Sequence, residues 1–242
     1  MNKLIKEMLT GVLLGFAHIG RVGLDKAFIS FEQSKKKSEY LLYLHKLISE
    51  EGFNVEEPKE YTRADSRYPK RLTESLYFIT LSLNEFKPLA DLFLDPEGKK
   101  IIPSNIADLL TPRSLAFWIM DDPQQVKRGG VTLCTDSFKK EEVSILREAL
   151  NSKLNLTTTI HKKSSGDSVY ERIYINKSSL VEIQPLLTEH MHGSMLYKIN
   201  VNETSTDAIA SSSTGPIDSA NNEKLAKFID IISFIEEDIG DF

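Results

Sequence analysis

Apolar and polar positions alternate along this chain with two periods, and the periods change at definable places. Residues 3–16 read as a helix of small and apolar side chains, in which Gly11 and Gly15, four apart, leave a smooth strip where another backbone can approach. Positions 27–32 alternate as a strand does. Residues 35–50 place Tyr40, Leu41, Leu44, Leu47 and Ile48 on one side of a helix, and Gly52 ends that pattern. A strand is predicted at 77–83 and a helix at 83–94. The series then restarts with a helix at 112–122, for which Thr111 is the expected N-cap and Pro112 the first helical residue. A strand at 131–135, a helix at 139–154, strands at 156–162 and 170–176 and a helix from 178 to about 190 follow.

The restart is an internal repeat. Phe78-Ile79-Thr80-Leu81 ahead of Glu85-Phe86-Lys87-Pro88-Leu89 is matched by Ile175-Asn176-Lys177-Ser178 ahead of Glu182-Ile183-Gln184-Pro185-Leu186, 97 residues on. The two opening helices correspond at an offset of 106, which sets Gly15-Phe16 over Asp121-Asp122. Two copies are too few for a solenoid. The expected architecture is α+β: two pseudo-symmetric halves, 1–100 and 101–201, each helix, two strands, helix, two strands, helix, meeting across the short smooth helices. One chain then supplies both halves of a dyad, so a monomer is expected. Residues 202–222, rich in Ser, Thr, Asn and Asp, read as a linker, and 223–239 as a helix with Leu225, Phe228, Ile229, Ile232 and Ile235 on one side.

Composition narrows the possible chemistry. The 242 residues are 40% hydrophobic and 27% charged, which is incompatible with disorder as the global state. The single cysteine, Cys134, excludes an intramolecular disulfide and cysteine-based zinc or iron–sulfur sites. No apolar run approaches the ~20 residues that a bilayer span requires, so no membrane segment is expected. The net charge of −5 conceals a division. Residues 1–200 carry 28 Lys and Arg against 26 Asp and Glu, whereas 201–242 carry 2 against 9. The acidity belongs to the tail. The body is slightly basic, with clusters at 35–37, 63–71, 99–100, 127–128, 139–140 and 162–163, as a nucleic-acid partner requires.

Several blocks in order carry a resemblance. Residues 9–20, Leu-Thr-Gly-Val-Leu-Leu-Gly-Phe-Ala-His-Ile-Gly, and 115–122, Leu-Ala-Phe-Trp-Ile-Met-Asp-Asp, are similar to the two motif helices of single-chain LAGLIDADG homing endonucleases. Ile102-Pro103-Ser104-Asn105, Leu133-Cys134-Thr135-Asp136-Ser137-Phe138 and Ser194-Met195-Leu196-Tyr197-Lys198 extend the likeness through most of residues 5–200. The resemblance implies two antiparallel sheets forming a saddle along the major groove of double-stranded DNA. It also implies that the last acid of each motif helix holds a divalent metal, suited to Mg²⁺, between the scissile phosphates.

Carried onto this chain, the second motif supplies Asp122 as catalytic and metal-binding acid, while Lys100 and Lys198 fall where similar enzymes place a lysine near each centre. The first motif departs from the pattern. Phe16 stands at the acid position, and a phenyl ring neither ligates metal nor accepts a proton. Glu7 lies ~13 Å away along a helix, and Asp25 falls beyond the next strand start. Pro123 replaces the usual glycine after Asp122 and restricts the acid's backbone. Trp118 and Met120 read as core, and the five histidines show no ligand spacing. The expectation is specific DNA binding with cleavage lost or reduced to nicking. The alternative is a maturase that binds group I intron RNA, for which the acids are dispensable. A mitochondrial, organelle-encoded origin is expected from family habit and from the opening residues, which lack a transit peptide's composition.

Overall fold

The computed structural model describes residues 1–64, 72–121, 124–125, 129–166 and 168–199. The first helix, α1 (Lys3–Leu14), begins where the Asn2 side chain accepts the Ile5 N–H at 2.9 Å. It ends two residues earlier than its sequence pattern suggests, because the Ala17 N–H reaches back to the Val12 carbonyl at 3.0 Å and turns the chain off the axis. A hairpin follows, β1 (His18–Val22) and β2 (Lys26–Ser34), turning through Gly23 at φ +61°. Then come α2 (Ser38–Glu50), β3 (Lys59–Ala64), β4 (Leu72–Ile79), α3 (Lys87–Phe93) and the short connector α4 (Ile106–Leu109).

The second half repeats the order with α5 (Pro112–Asp121), β5 (Gln124–Gln125), β6 (Val131–Leu133), α6 (Lys140–Leu154), β7 (Thr158–Ser165), β8 (Ser168–Ile175) and α7 (Lys177–Thr188). Both sheets are antiparallel, in the orders β1-β2-β4-β3 and β5-β6-β8-β7. The shared order is the structural form of the sequence repeat. At Thr111 the expected cap is present: its hydroxyl accepts the Ser114 N–H at 3.1 Å, and the Ser114 hydroxyl accepts the Thr111 N–H at 2.8 Å.

Each sheet buries one face against its helices. In β2 the alternation puts Ala27, Ile29 and Phe31 inward, and Phe31 pairs with Phe78 of β4, the rings stacked 4.6 Å apart. The inward row meets Tyr40, Leu41, Leu44 and Ile48 of α2. Ile173 and Ile175 of β8 meet Val143, Leu146 and Leu150 of α6 in the same manner.

Where α1 crosses α5, every residue from Met8 to Leu14 and from Ser114 to Asp121 is buried, as two helices enclosed on all sides must be. Trp118 and Met120 lie in this core. A Cβ on Gly11 would collide with the Ser114 carbonyl and lie 2.8 Å from the Phe117 Cβ, so only hydrogen lets the two backbones approach this closely.

Several elements differ from the sequence reading for identifiable reasons. The helix expected at 83–94 is a 3₁₀ turn, Asn84–Phe86, followed by α3, with Pro88 in the first helical turn where its missing N–H costs nothing. The strand expected at 77–83 belongs to β4, which ends at Ile79 and continues only as single bridges from Thr80 to Val55 and from Leu83 to Ala27. β1, β3, β5 and α4 have no counterpart in the periodicity. The described residues 1–199 fall within one compact unit, and none of their helices is long and apolar enough to cross a membrane. The linker and terminal helix expected across 202–242 lie outside the described residues.

Candidate functional site

The feet of α1 and α5 meet through an acid that the motif alignment passes over. Asp121, the residue before Asp122, is only 3% exposed, and its carboxylate fills the space where Gly15 has no side chain. One oxygen accepts the Phe16 backbone N–H, and the other accepts Gln33 Nε2 at 2.5 Å. Lys37 Nζ reaches the Asp121 carbonyl at 3.3 Å. Burial drives the Asp121 carboxyl above its ordinary 3.8, against the Phe16 N–H and the charges of Lys198, Lys100 and Lys37, which pull it down. The repeat contained the signal for this contact, since it sets Gly15 over Asp121. Gln33 and Lys37 come from β2 and the turn after it, and no local pattern marks them.

The two lysines occupy equivalent posts. Lys100 Nζ donates to the carbonyls of Leu13, Gly15 and Ala17 at 2.8, 2.9 and 2.9 Å, at the end of α1. Lys198, 3% exposed, donates to Ile119 at 3.1 Å and Met120 at 2.6 Å, at the end of α5. Leu13 and Ile119 are partners in the 106-residue repeat, so both ammonium groups answer the same unpaired carbonyls and the negative helix end. Neither α1 nor α5 carries a basic residue in its own last turn. The family resemblance singled out these two lysines, and it carried no sign of this capping contact.

Phe16 stands just past Gly15, the residue that caps α1, with 57% of its surface exposed. Its ring lines a recess of about 750 Å³ together with Gln33, Ser34, Lys37, Arg63 and Ser75. Asp122 and Pro123 lie outside the described residues. Among the described residues no three His, Cys, Asp or Glu side chains gather where a metal ion could sit, and Asp121 spends both oxygens on protein donors. At the foot of α1 the acid position holds Phe16, whose ring offers a metal no donor atom. Three of the five histidines pack or hydrogen-bond locally: His45 lies edge-on to Phe78, His161 stacks on Tyr174, and His192 Nδ1 lies 2.8 Å from the Ser194 hydroxyl.

The sheets turn polar and aromatic faces away from the core. Register lines up Glu32 with Tyr77 and Lys59, Ser34 with Ser75 and Tyr61, and Thr73 with Arg63. Arg63 pairs with Glu32 at 3.2 Å. On the second sheet Thr132, Tyr174 and Thr159 share one row, Arg172 and His161 the next, and Tyr170 and Lys163 a third. Arg172 is fixed by Asp136, with Nε donating to Oδ1 at 2.6 Å. Ser75, Thr132 and Arg172 are buried within these rows, and the other donors, acceptors and flat rings, at a two-residue spacing on two sheets, can contact the base edges of a groove.

Comparison with known proteins agrees with this arrangement. The chain matches the LAGLIDADG DNA endonuclease family over residues 6–183. It is 31% identical over 202 residues to the cytochrome b mRNA maturase bI2 of Debaryomyces hansenii, covering 82% of this chain and 74% of the relative. The protein of the same name from Saccharomyces cerevisiae is 29% identical over 206 residues, covering 82% of this chain and about half (48%) of that protein's own length. Among solved structures, the homing endonuclease I-WcaI bound to its DNA recognition sequence superposes with a TM-score of 0.70 at 28% identity, covering 83% of this chain and 88% of that one. With the repeated sheet order, the enclosed helix pair and a match across most of its length, the chain belongs to the LAGLIDADG DNA endonuclease family.

Proposed function

We propose that this protein binds a specific double-stranded DNA site, laying the outer faces of its two sheets along the major groove, with metal-dependent phosphodiester cleavage lost or reduced to a single strand. Phe16 carries the reading of the chemistry. At the foot of α1, where the repeat calls for an acid, stands an exposed apolar ring, and the nearby carboxylate of Asp121 is buried and engaged. Asp122 is then the acid position left to hold Mg²⁺, which would polarise a phosphoryl oxygen and activate water there. Lys100 and Lys198 place a positive charge beside each candidate centre while they cap the helix ends. I-WcaI, similar in fold and sequence, is bound to its DNA recognition sequence, which supports DNA as the ligand of this chain.

The test is incubation of the full chain with Mg²⁺ and a supercoiled plasmid carrying the uninterrupted host-gene sequence. Supercoiled plasmid that persists, or passes only to the open circle, is the expected result. Rapid accumulation of linear plasmid would reject the role given to Phe16.

A second reading rests on the two yeast relatives, both named cytochrome b mRNA maturases. In that reading the chain binds a group I intron RNA in a mitochondrion and assists its splicing. Tighter binding to the host intron RNA than to the DNA site, retained as salt rises, would favour it over the first.

A further inference from the structure

We infer that Arg63 and Glu32 act together as the reader of one G·C base pair, Arg63 on the guanine and Glu32 on the cytosine. The inference rests on the DNA-binding reading above and names one contact within that interface. β2 and β3 lie on either side of β4, so the Arg63 side chain crosses the middle strand to come within 3.2 Å of Glu32. The crossing is open because β4 offers the short side chains Thr73 and Ser75 there, opposite Arg63 and Tyr61. Two further contacts hold the pair in place. The Arg63 guanidinium stands 5.7 Å from the centre of the Tyr61 ring, and the Tyr61 hydroxyl donates to the Glu32 carboxylate.

The pair keeps hydrogen-bonding capacity for a ligand. Arg63 meets Glu32 through Nη2, and a guanidinium carries about five N–H donors; Glu32 receives it on Oε1, and a carboxylate offers about four acceptor positions. Both side chains remain open to solvent, Arg63 at 62% and Glu32 at 41%. The result is a fork of donors beside an acceptor. In the major groove a G·C pair shows the complement: two acceptors, N7 and O6, on guanine, and next to them the N4 amine of cytosine. An A·T pair sets the N6 amine of adenine against the arginine and the O4 oxygen of thymine against the carboxylate. Reversal to C·G misplaces donor and acceptor in the same way. A phosphate is the poorer occupant, since Glu32 repels the anion that Arg63 attracts.

The experiment selects binding sequences from a randomised DNA duplex library with the full chain and with Arg63→Ala, Arg63→Lys and Glu32→Gln. Sites selected by the unsubstituted chain should contain a G·C pair that sites selected by Arg63→Ala lack. Affinities are then measured for the selected duplex and for the same duplex with that pair changed to A·T. The change should cost the unsubstituted chain on the order of 10-fold and leave Arg63→Ala indifferent. Arg63→Lys keeps the charge without the fork and should also be indifferent, while Glu32→Gln should lower the preference without erasing it. A G·C preference that survives Arg63→Ala would overturn the inference and leave DNA binding standing. So would an Arg63→Ala loss spread evenly over all sequences, which marks a phosphate contact. If the unsubstituted chain enriches no sequence, the specific-DNA reading falls with it.

Discussion

The Asp121 carboxylate is enclosed by groups that oppose each other: burial disfavours its charge, while the Phe16 N–H, Gln33 Nε2 and three lysines favour it. Burial prevails, so the folded chain takes up this proton at a higher pH than the unfolded chain does. The contribution of this carboxyl to stability is therefore fullest below its ordinary 3.8 and falls as pH rises through the raised value. In Asp121→Asn that component is gone, so the stability advantage of the parent chain over the variant, read as urea midpoints against pH, should narrow as pH rises across this window. An advantage that widens would contradict the direction. The same carboxylate bears on repair of the first motif. Phe16→Asp places a second acid against Asp121, whose own charge is already disfavoured, and Pro123 continues to restrict Asp122. Double-strand cleavage is not expected to return. Linear plasmid at a level typical of intact two-acid enzymes would show that geometry at the second foot is sound.

At the level of elements, the two motif helices depend on side chains from far along the chain. Lys100→Met leaves three carbonyls at the end of α1 without their cation, and Lys198→Met leaves two at the end of α5. Each substitution is expected to lower unfolding free energy by ~1–3 kcal/mol, measured by denaturant titration without nucleic acid. Lysines that served only phosphate would leave that stability unchanged. Gly11→Ala forces α1 and α5 apart and should cost a similar ~1–3 kcal/mol. Sequence revealed these helices because Gly11, Gly15 and the apolar run are local features. α2 and α6 were equally legible from their periodic apolar sides. β3 was not: Lys59-Glu60-Tyr61-Thr62-Arg63-Ala64 lies at a sheet edge with both faces largely solvated, so no alternation was imposed on it. β1 lost its signal at Gly20, where a Cβ would meet the Phe28 ring. The engagement of Asp121 by Gln33 and Lys37 depends on residues 88 and 84 positions away, a distance across which no periodicity operates.

For the whole molecule the uneven charge has a measurable consequence. Residues 1–200 carry a net +2 and 201–242 a net −7, so the average charge understates the attraction between the body and a polyanion. Binding through the lysines and arginines of the sheet faces releases counterions, and affinity for duplex should fall steeply and log-linearly with salt. Two models of the acidic segment differ in what its removal does to that line. If it competes with phosphates for the basic faces, deleting 202–242 raises affinity most at low salt, where a charge is felt over ~30 Å at 0.01 M, and the two lines converge as that distance shrinks to ~8 Å at 0.15 M. If it only adds solubility, the lines coincide throughout. The second outcome is expected, because the sequence of 202–222 is rich in Ser, Thr, Asn and Asp and carries no Lys, Arg or aromatic residue that would fix the acidic groups against a basic face. Duplex affinities of the full and shortened chains across that salt range decide between them, and a gap confined to the low-salt end would establish competition.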